Sequence, residues 1–136
     1  MKLTLRSYEP EDFEILYEID QECYEPAIAY SKREFRNYLR FPGAECVIAE
    51  QDGKVAGFCL TAHQQACGYI ITIDVLEEFR RHGVGTLLLL LIPFIPGLRD
   101  IPRWIPLHRL VWRDWNRRSA GPVDQPGTKP EPAGQK

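Results

Sequence analysis

The chain has 136 residues, 44% of them apolar and 26% charged, with a formal net charge of −2. This is about one domain of ordinary globular sequence, long enough to bury a core without staples, and it excludes collagen-like or wholly disordered chains and strongly basic nucleic-acid binders. The average hides a split: residues 1–90 carry 9 Lys+Arg against 15 Asp+Glu, whereas residues 91–136 carry 8 against 4 and hold eight of the eleven prolines and all three tryptophans.

In chain order, Leu3 and Leu5 alternate with Lys2, Thr4 and Arg6, which predicts a short strand over residues 2–8 with one buried face. Glu9-Pro10-Glu11-Asp12 opens a helix: proline suits the first turn, and acids suit the positive end of the helix dipole. Phe13, Leu16, Tyr17 and Asp20 share a side of that helix, which runs to about Cys23. A loop with Pro26 follows. Ser31-Lys32-Arg33-Glu34 then matches a capping box ahead of a helix carrying Phe35, Tyr38 and Leu39. Residues 45–50 read as a strand, Asp52-Gly53 as a hairpin turn and residues 55–62 as the partner strand. Residues 63–68 read as a polar loop that leaves His63 exposed. Tyr69 to Leu76 is β-rich and apolar on both faces, the pattern of a central strand. Glu77 to His82 is a solvated connection, and Gly83 starts a helix through Leu87, Leu88 and Leu91.

None of the four cysteines forms a C-x-x-C pair or has zinc-finger spacing to a histidine, which predicts free, structural thiols in a reducing cytoplasm and no metal site. The N-terminus has no apolar signal stretch, and the longest apolar run, Val84 to Ile95, is too short to span a bilayer.

The chemistry concentrates in Ile73-Asp74-Val75-Leu76-Glu77-Glu78-Phe79-Arg80-Arg81-His82-Gly83-Val84-Gly85-Thr86. A buried strand runs into a basic turn that enters a helix through two glycines. The first amides of a helix have no internal partner, the dipole adds positive potential, and glycine lets an anion approach the backbone. A pyrophosphate suits such a place, although a plain strand-to-helix turn has the same outline. Leu88 stands where G-x-G-x-x-G needs glycine, and no Gly-Lys-Ser/Thr follows, which disfavours a Rossmann site or a nucleotide hydrolase.

Arg80-Arg81-His82-Gly83-Val84-Gly85 resembles the Gln/Arg-x-x-Gly-x-Gly/Ala motif of the GCN5-related N-acetyltransferase (GNAT) family, and Leu5-Arg6-Ser7-Tyr8-Glu9-Pro10-Glu11-Asp12-Phe13 is similar to that family's opening. The resemblance covers residues 1 to about 90. It implies an α+β, three-layer α/β fold with a mixed central sheet in the order β-α-α-β-β-β-α. It also implies transfer of an acetyl group from acetyl-CoA, as co-substrate, to a primary amine on a protein N-terminus, a lysine or a small molecule, without a metal or a covalent enzyme intermediate. Main-chain groups of Ile73, Asp74 and Val75 would lie along the pantetheine arm. Amides of Arg81, His82, Gly83, Val84, Gly85 and Thr86 would hold the pyrophosphate, with Arg80 at the motif's first position. Asp74 is the candidate general base, with fixing a neighbouring side chain as its structural alternative. Tyr24 and Tyr30, between the first two helices, are candidates for the acceptor groove, and core packing accounts for either equally well.

The resemblance stops after Leu90. The family continues with a strand, a helix bearing an Asn and a Tyr that commonly protonates the leaving thiolate, and a final strand pair. Here Pro93 and Pro96 break the helix, Trp104, Trp112 and Trp115 alternate with six arginines, and no tyrosine follows Tyr69. Residues 91–136 therefore read as a separate Pro/Arg/Trp-rich tail whose last sixteen residues are disordered. Three origins remain open for it: a shifted reading frame that leaves a truncated, inactive CoA-binding fragment; a divergent ending packed on the domain through its tryptophans; or a basic segment that binds RNA or an anionic membrane. With the last strands lost, the sheet is expected to keep an unpaired edge and the helix run Leu87–Ile92 to lose part of its cover.

Overall fold

A computed structural model describes residues 2–64, 67–92 and 103–106. Five strands, β1 (Leu3–Ser7), β2 (Glu45–Gln51), β3 (Lys54–Gln64), β4 (Cys67–Val75) and β5 (Arg103–Pro106), form one sheet in sequential order. The first four are antiparallel, and β5 lies parallel to β4. Helices α1 (Phe13–Cys23) and α2 (Lys32–Arg40) cover one face, where Phe13, Leu16, Phe35, Phe58, Leu60 and Ile71 meet in one core. Helix α3 (Val84–Leu91) covers the other face, where Val84, Leu88 and Ile92 pack on Ala49, Ala56 and Cys59. Leu89 and Leu90 face outward. The result is three layers, as the resemblance implies.

Local chemistry explains most boundaries. Ser31 caps α2 reciprocally with Glu34 (3.1 and 3.0 Å), satisfying two orphan amides. Asp52 (φ 52°) and Gly53 (φ 86°) carry the two positive φ angles of the tight turn between β2 and β3. Pro10–Asp12 forms a 3-10 turn before α1. There Asp12 accepts two 2.8 Å bonds from Arg6, which also donates to Glu50 (2.9 Å). This ion group joins β1, α1 and β2, and the Arg6 bonds hold the Asp12 carboxyl below its usual range.

Three expectations need correction. The polar loop over residues 63–68 is largely strand, with β3 running to Gln64 and β4 starting at Cys67. His63 is accordingly half-buried, not exposed, since its amide donates to the Gly43 carbonyl (3.2 Å) beside the strand. The far edge of the sheet is not wholly unpaired: Arg103–Pro106 pairs with Cys67–Ile70, because a four-residue stretch of the tail supplies the parallel strand. Trp112, Trp115, the tail prolines except Pro106 and the disorder expected of the last sixteen residues lie outside the described residues.

Two features of β4 set which of its groups are accessible and from which side. Leu60 pairs with Thr72 and Thr61 with Ile70, so Ile71 is an extra residue, a β-bulge. It resets the alternation: Ile70 faces the α3 core and Ile71 the α1 core. Thr72 then also faces α1, while Ile73 and Val75 pack on the α3 side. In addition, β5 accompanies β4 only to Ile70, so Ile73 to Val75 have no partner from β5.

Candidate functional site

The alternation of main-chain groups along β4 follows from one bond. The Leu76 amide reaches the Ala56 carbonyl of β3 (2.9 Å), so in an antiparallel ladder Asp74 also directs its main chain toward β3. Ile73 and Val75 therefore direct theirs to the other edge, which no strand covers among the described residues and which is called the open edge below. The Val75 carbonyl confirms it by accepting from Arg80 Nε (2.8 Å) and the Cys23 thiol (3.5 Å).

Beyond Val75 the chain makes a 3-10 turn, Glu77–Phe79, with Phe79 buried and both glutamates exposed. Arg81 (φ 66°) and Gly83 (φ 85°) are both left-handed, and Gly83 caps α3. The amide of Leu87 makes the first rung of the helix, to Gly83 O (2.9 Å), so the amides of Val84, Gly85 and Thr86 precede it and are open to an acceptor. Left-handed residues between ordinary ones curl successive amides inward, a shape able to cradle an anion. His82 Nδ1 lies 3.1 Å from Gln51 Oε1, tying this turn to the end of β2. An added Cβ at Gly85 would meet the Val75 side chain at 3.8 Å, an ordinary contact, so the packing of α3 on β4 does not itself require glycine there.

A cleft of about 460 Å³ joins these parts, bordered by Cys23 and Tyr24 at the end of α1, Ile73 and Val75 on β4, and the turn from Phe79 through Arg81 into Gly83–Thr86. Of the residues the sequence singled out, Ile73, Val75, Arg80, Arg81, Gly83, Val84, Gly85, Thr86 and Tyr24 border it. Arg80 lies folded across the open edge, bonded to Val75 and 3.7 Å from Cys23 Sγ. Asp74 is 1% exposed on the α1 face of β4 and accepts a hydrogen bond from the Thr72 hydroxyl. That hydroxyl lies 3.2 Å from the Tyr24 phenol. Tyr30 stands apart. It is 1% exposed, its ring packs against Tyr38 (4.8 Å), and its amide donates to Asp20 (3.0 Å).

Thr72 and Cys23 escaped the sequence reading. A Thr-x-Asp pair in an otherwise apolar strand was the available signal for Thr72. Cys23, grouped with the structural thiols, lines the cleft instead, where burial and the charge of Asp74 push its thiol up and Arg80 opposes them. Among the described residues no helix is long and apolar enough to cross a membrane, and no three His, Cys, Asp or Glu side chains cluster as a metal site.

The profile of the acetyltransferase (GNAT) family matches residues 13–92, more than half of the chain. Among solved structures, the ribosomal-protein-S18-alanine N-acetyltransferase from Escherichia coli is similar at TM-score 0.65 and 24% identity, over 74% of this chain and 63% of that one. This chain thus spans less than two thirds of that enzyme's length. Ard1 from Thermoplasma volcanium is similar at TM-score 0.62 and 24% identity, over 74% of this chain and 68% of that one. The PaiA N-acetyltransferase from Thermoplasma acidophilum, in complex with coenzyme A, is similar at TM-score 0.62 and 18% identity, over 86% of each. At these identities the likeness is one of fold. No curated protein matches the chain.

Proposed function

This chain belongs to the acetyltransferase (GNAT) family, and on that footing we propose that it transfers an acetyl group from acetyl-CoA to a primary amine. The observation that carries the proposal is continuity: the open edge of β4 at Ile73 and Val75 runs directly into the amide cradle at Arg81–Thr86, along one cleft. Acetyl-CoA supplies an acyl thioester already activated toward an amine. The amides of Arg81 to Thr86 hold its pyrophosphate, aided by the α3 dipole. The main-chain groups of Ile73, and those of Val75 once Arg80 swings off its carbonyl, pair with the amides of the pantetheine arm as an added strand would. Arg80 and Arg81 contribute positive charge at the cradle. The residues fit the group: a Cβ at Gly83 would meet no protein atom within 4 Å, so the space beside its backbone is open to a phosphate.

The protein's remaining tasks are to orient the two reactants and to take a proton from the amine. Asp74 is the proton acceptor. Transfer is taken as direct rather than through an acyl-enzyme, in keeping with the Cys23 thiol, which burial and the charge of Asp74 push up against the opposing Arg80. The four free thiols accord with a cytoplasmic setting. Neighbours of this fold are described as acting on an alanine of ribosomal protein S18, on glucosamine and on aminoglycosides, which defines a test panel.

One observation favours a second reading, a fold that holds CoA without turnover: no tyrosine follows Tyr69 to protonate the leaving thiolate. Release of free CoA from acetyl-CoA, measured with a peptide beginning in alanine, glucosamine and an aminoglycoside, separates the two. The expected result is amine-dependent release with at least one acceptor, slowed about 100-fold by Asp74→Asn. CoA binding with no release for any amine would establish the second reading.

A further inference from the structure

We propose that Tyr24, Thr72 and Asp74 form a proton relay from the cleft to the buried carboxylate, with Thr72 as the indispensable middle member; this rests on the acetyl transfer proposed above. The hydrogen bonds give the chain a direction. A threonine hydroxyl has one hydrogen, and that of Thr72 goes to Asp74. The 3.2 Å contact between Tyr24 and Thr72 is therefore made by the phenol donating. Tyr24 borders the cleft, whereas Thr72 is 4% and Asp74 1% exposed. The two hydroxyls bridge the cleft wall to a carboxylate that solvent scarcely reaches. The bulge at Ile71 is what brings Thr72 onto the α1 face with Tyr24.

The transfer balances without a co-reactant. An N–H bond of the protonated acceptor breaks and its proton bonds to the Tyr24 oxygen. The phenol's own proton passes to Thr72, and the threonine proton passes to Asp74. Both hydroxyls end with the proton count they began with, Asp74 becomes a carboxylic acid, and the amine has its lone pair for attack. Among the described residues, the thiols Cys23 from α1, Cys46 from β2 and Cys59 from β3 sense the charge of Asp74. Burial pushes all three up, Cys59 to about 12, so they remain protonated and do not compete for the proton. Arg80, next to Cys23, is the nearby cation.

The test measures kcat, KM for acetyl-CoA and the pH profile with the panel amine that supports turnover, for Thr72→Val, Thr72→Ser, Tyr24→Phe and the Tyr24→Phe/Thr72→Val pair. Thr72→Val and Tyr24→Phe are each expected to lower kcat about 100-fold, with KM for acetyl-CoA unchanged and the acidic limb of the profile flattened. The double variant is expected to be no worse than the poorer single one, since either break opens the same chain. Thr72→Ser, which keeps the hydroxyl, restores most of the rate. Near-wild-type kcat in Thr72→Val, or Thr72→Ser as slow as Thr72→Val, would overturn the relay while leaving acetyl transfer intact. A wild-type protein inactive on every panel amine would instead overturn the acetyl-transfer reading, and the relay with it.

Discussion

Gly83 and Gly53 pose the same backbone problem in different places. Their φ values are 85° and 86°, and an added Cβ at either meets nothing within 4 Å. Alanine at each position should therefore cost only the left-handed strain, about 1 kcal/mol. Thermal unfolding of Gly83→Ala and Gly53→Ala is expected to give equal losses. A much larger loss at Gly83 would mean that its turn carries structural weight beyond capping α3. The residues that border the cleft were partly legible here: Arg80, Arg81 and the two glycines stand out in the sequence. Thr72 did not, because its partnership with Tyr24 depends on which face it takes. One bulged residue, Ile71, decides that, and a bulge leaves no mark in a run of isoleucines.

At the scale of elements, the site depends on how β3 and β4 lie together and on how β1 is held. Gly57 lies opposite Val75, and a Cβ there would clash with the Asp74 carbonyl oxygen and stand 3.1 Å from Val75 Cα. Both are backbone atoms, so the strands themselves must move. Gly57→Ala is expected to cost about 2 kcal/mol, more than Gly53→Ala, and to weaken CoA binding by displacing the open edge. A loss no greater than that of Gly53→Ala would show that the strands do not have to part. The Arg6–Asp12–Glu50 group sets a pH dependence. Asp12 titrates below its ordinary range because Arg6 donates to it. Its contribution is therefore present above the ordinary carboxylate range and lost as pH falls through the lowered value. Asp12→Asn should lower stability by about 1 kcal/mol at neutral pH, and the difference from wild type should shrink below about pH 4. A difference independent of pH, read by denaturant unfolding, would assign the loss to packing. Capping box, hairpin turn and helix faces were readable because each is local in sequence. The extents of β3 and β4 past His63 were not, since Gln64 and Cys67 become strand by pairing with each other.

For the whole molecule, the charge split at residue 90 marked where the family pattern ends, and the match to residues 13–92 ends close by. The split did not reveal that Arg103–Pro106 would join the sheet, because parallel pairing to β4 is set by contacts distant in sequence. Nor did apolar patterning show that, among the described residues, no strand would cover β4 beside Ile73 and Val75. That opening lies next to the cradle at Arg81–Thr86, and their conjunction is the basis for reading this chain as a CoA-dependent enzyme. The most direct test is calorimetric titration of the full chain with CoA, comparing wild type, Gly53→Ala and Gly83→Glu. CoA is expected to bind the wild type and Gly53→Ala with equal affinity and to lose binding to Gly83→Glu, whose carboxylate would project where the pyrophosphate sits. Equal binding by all three proteins, or none by the folded wild type, would contradict a pyrophosphate site at this turn.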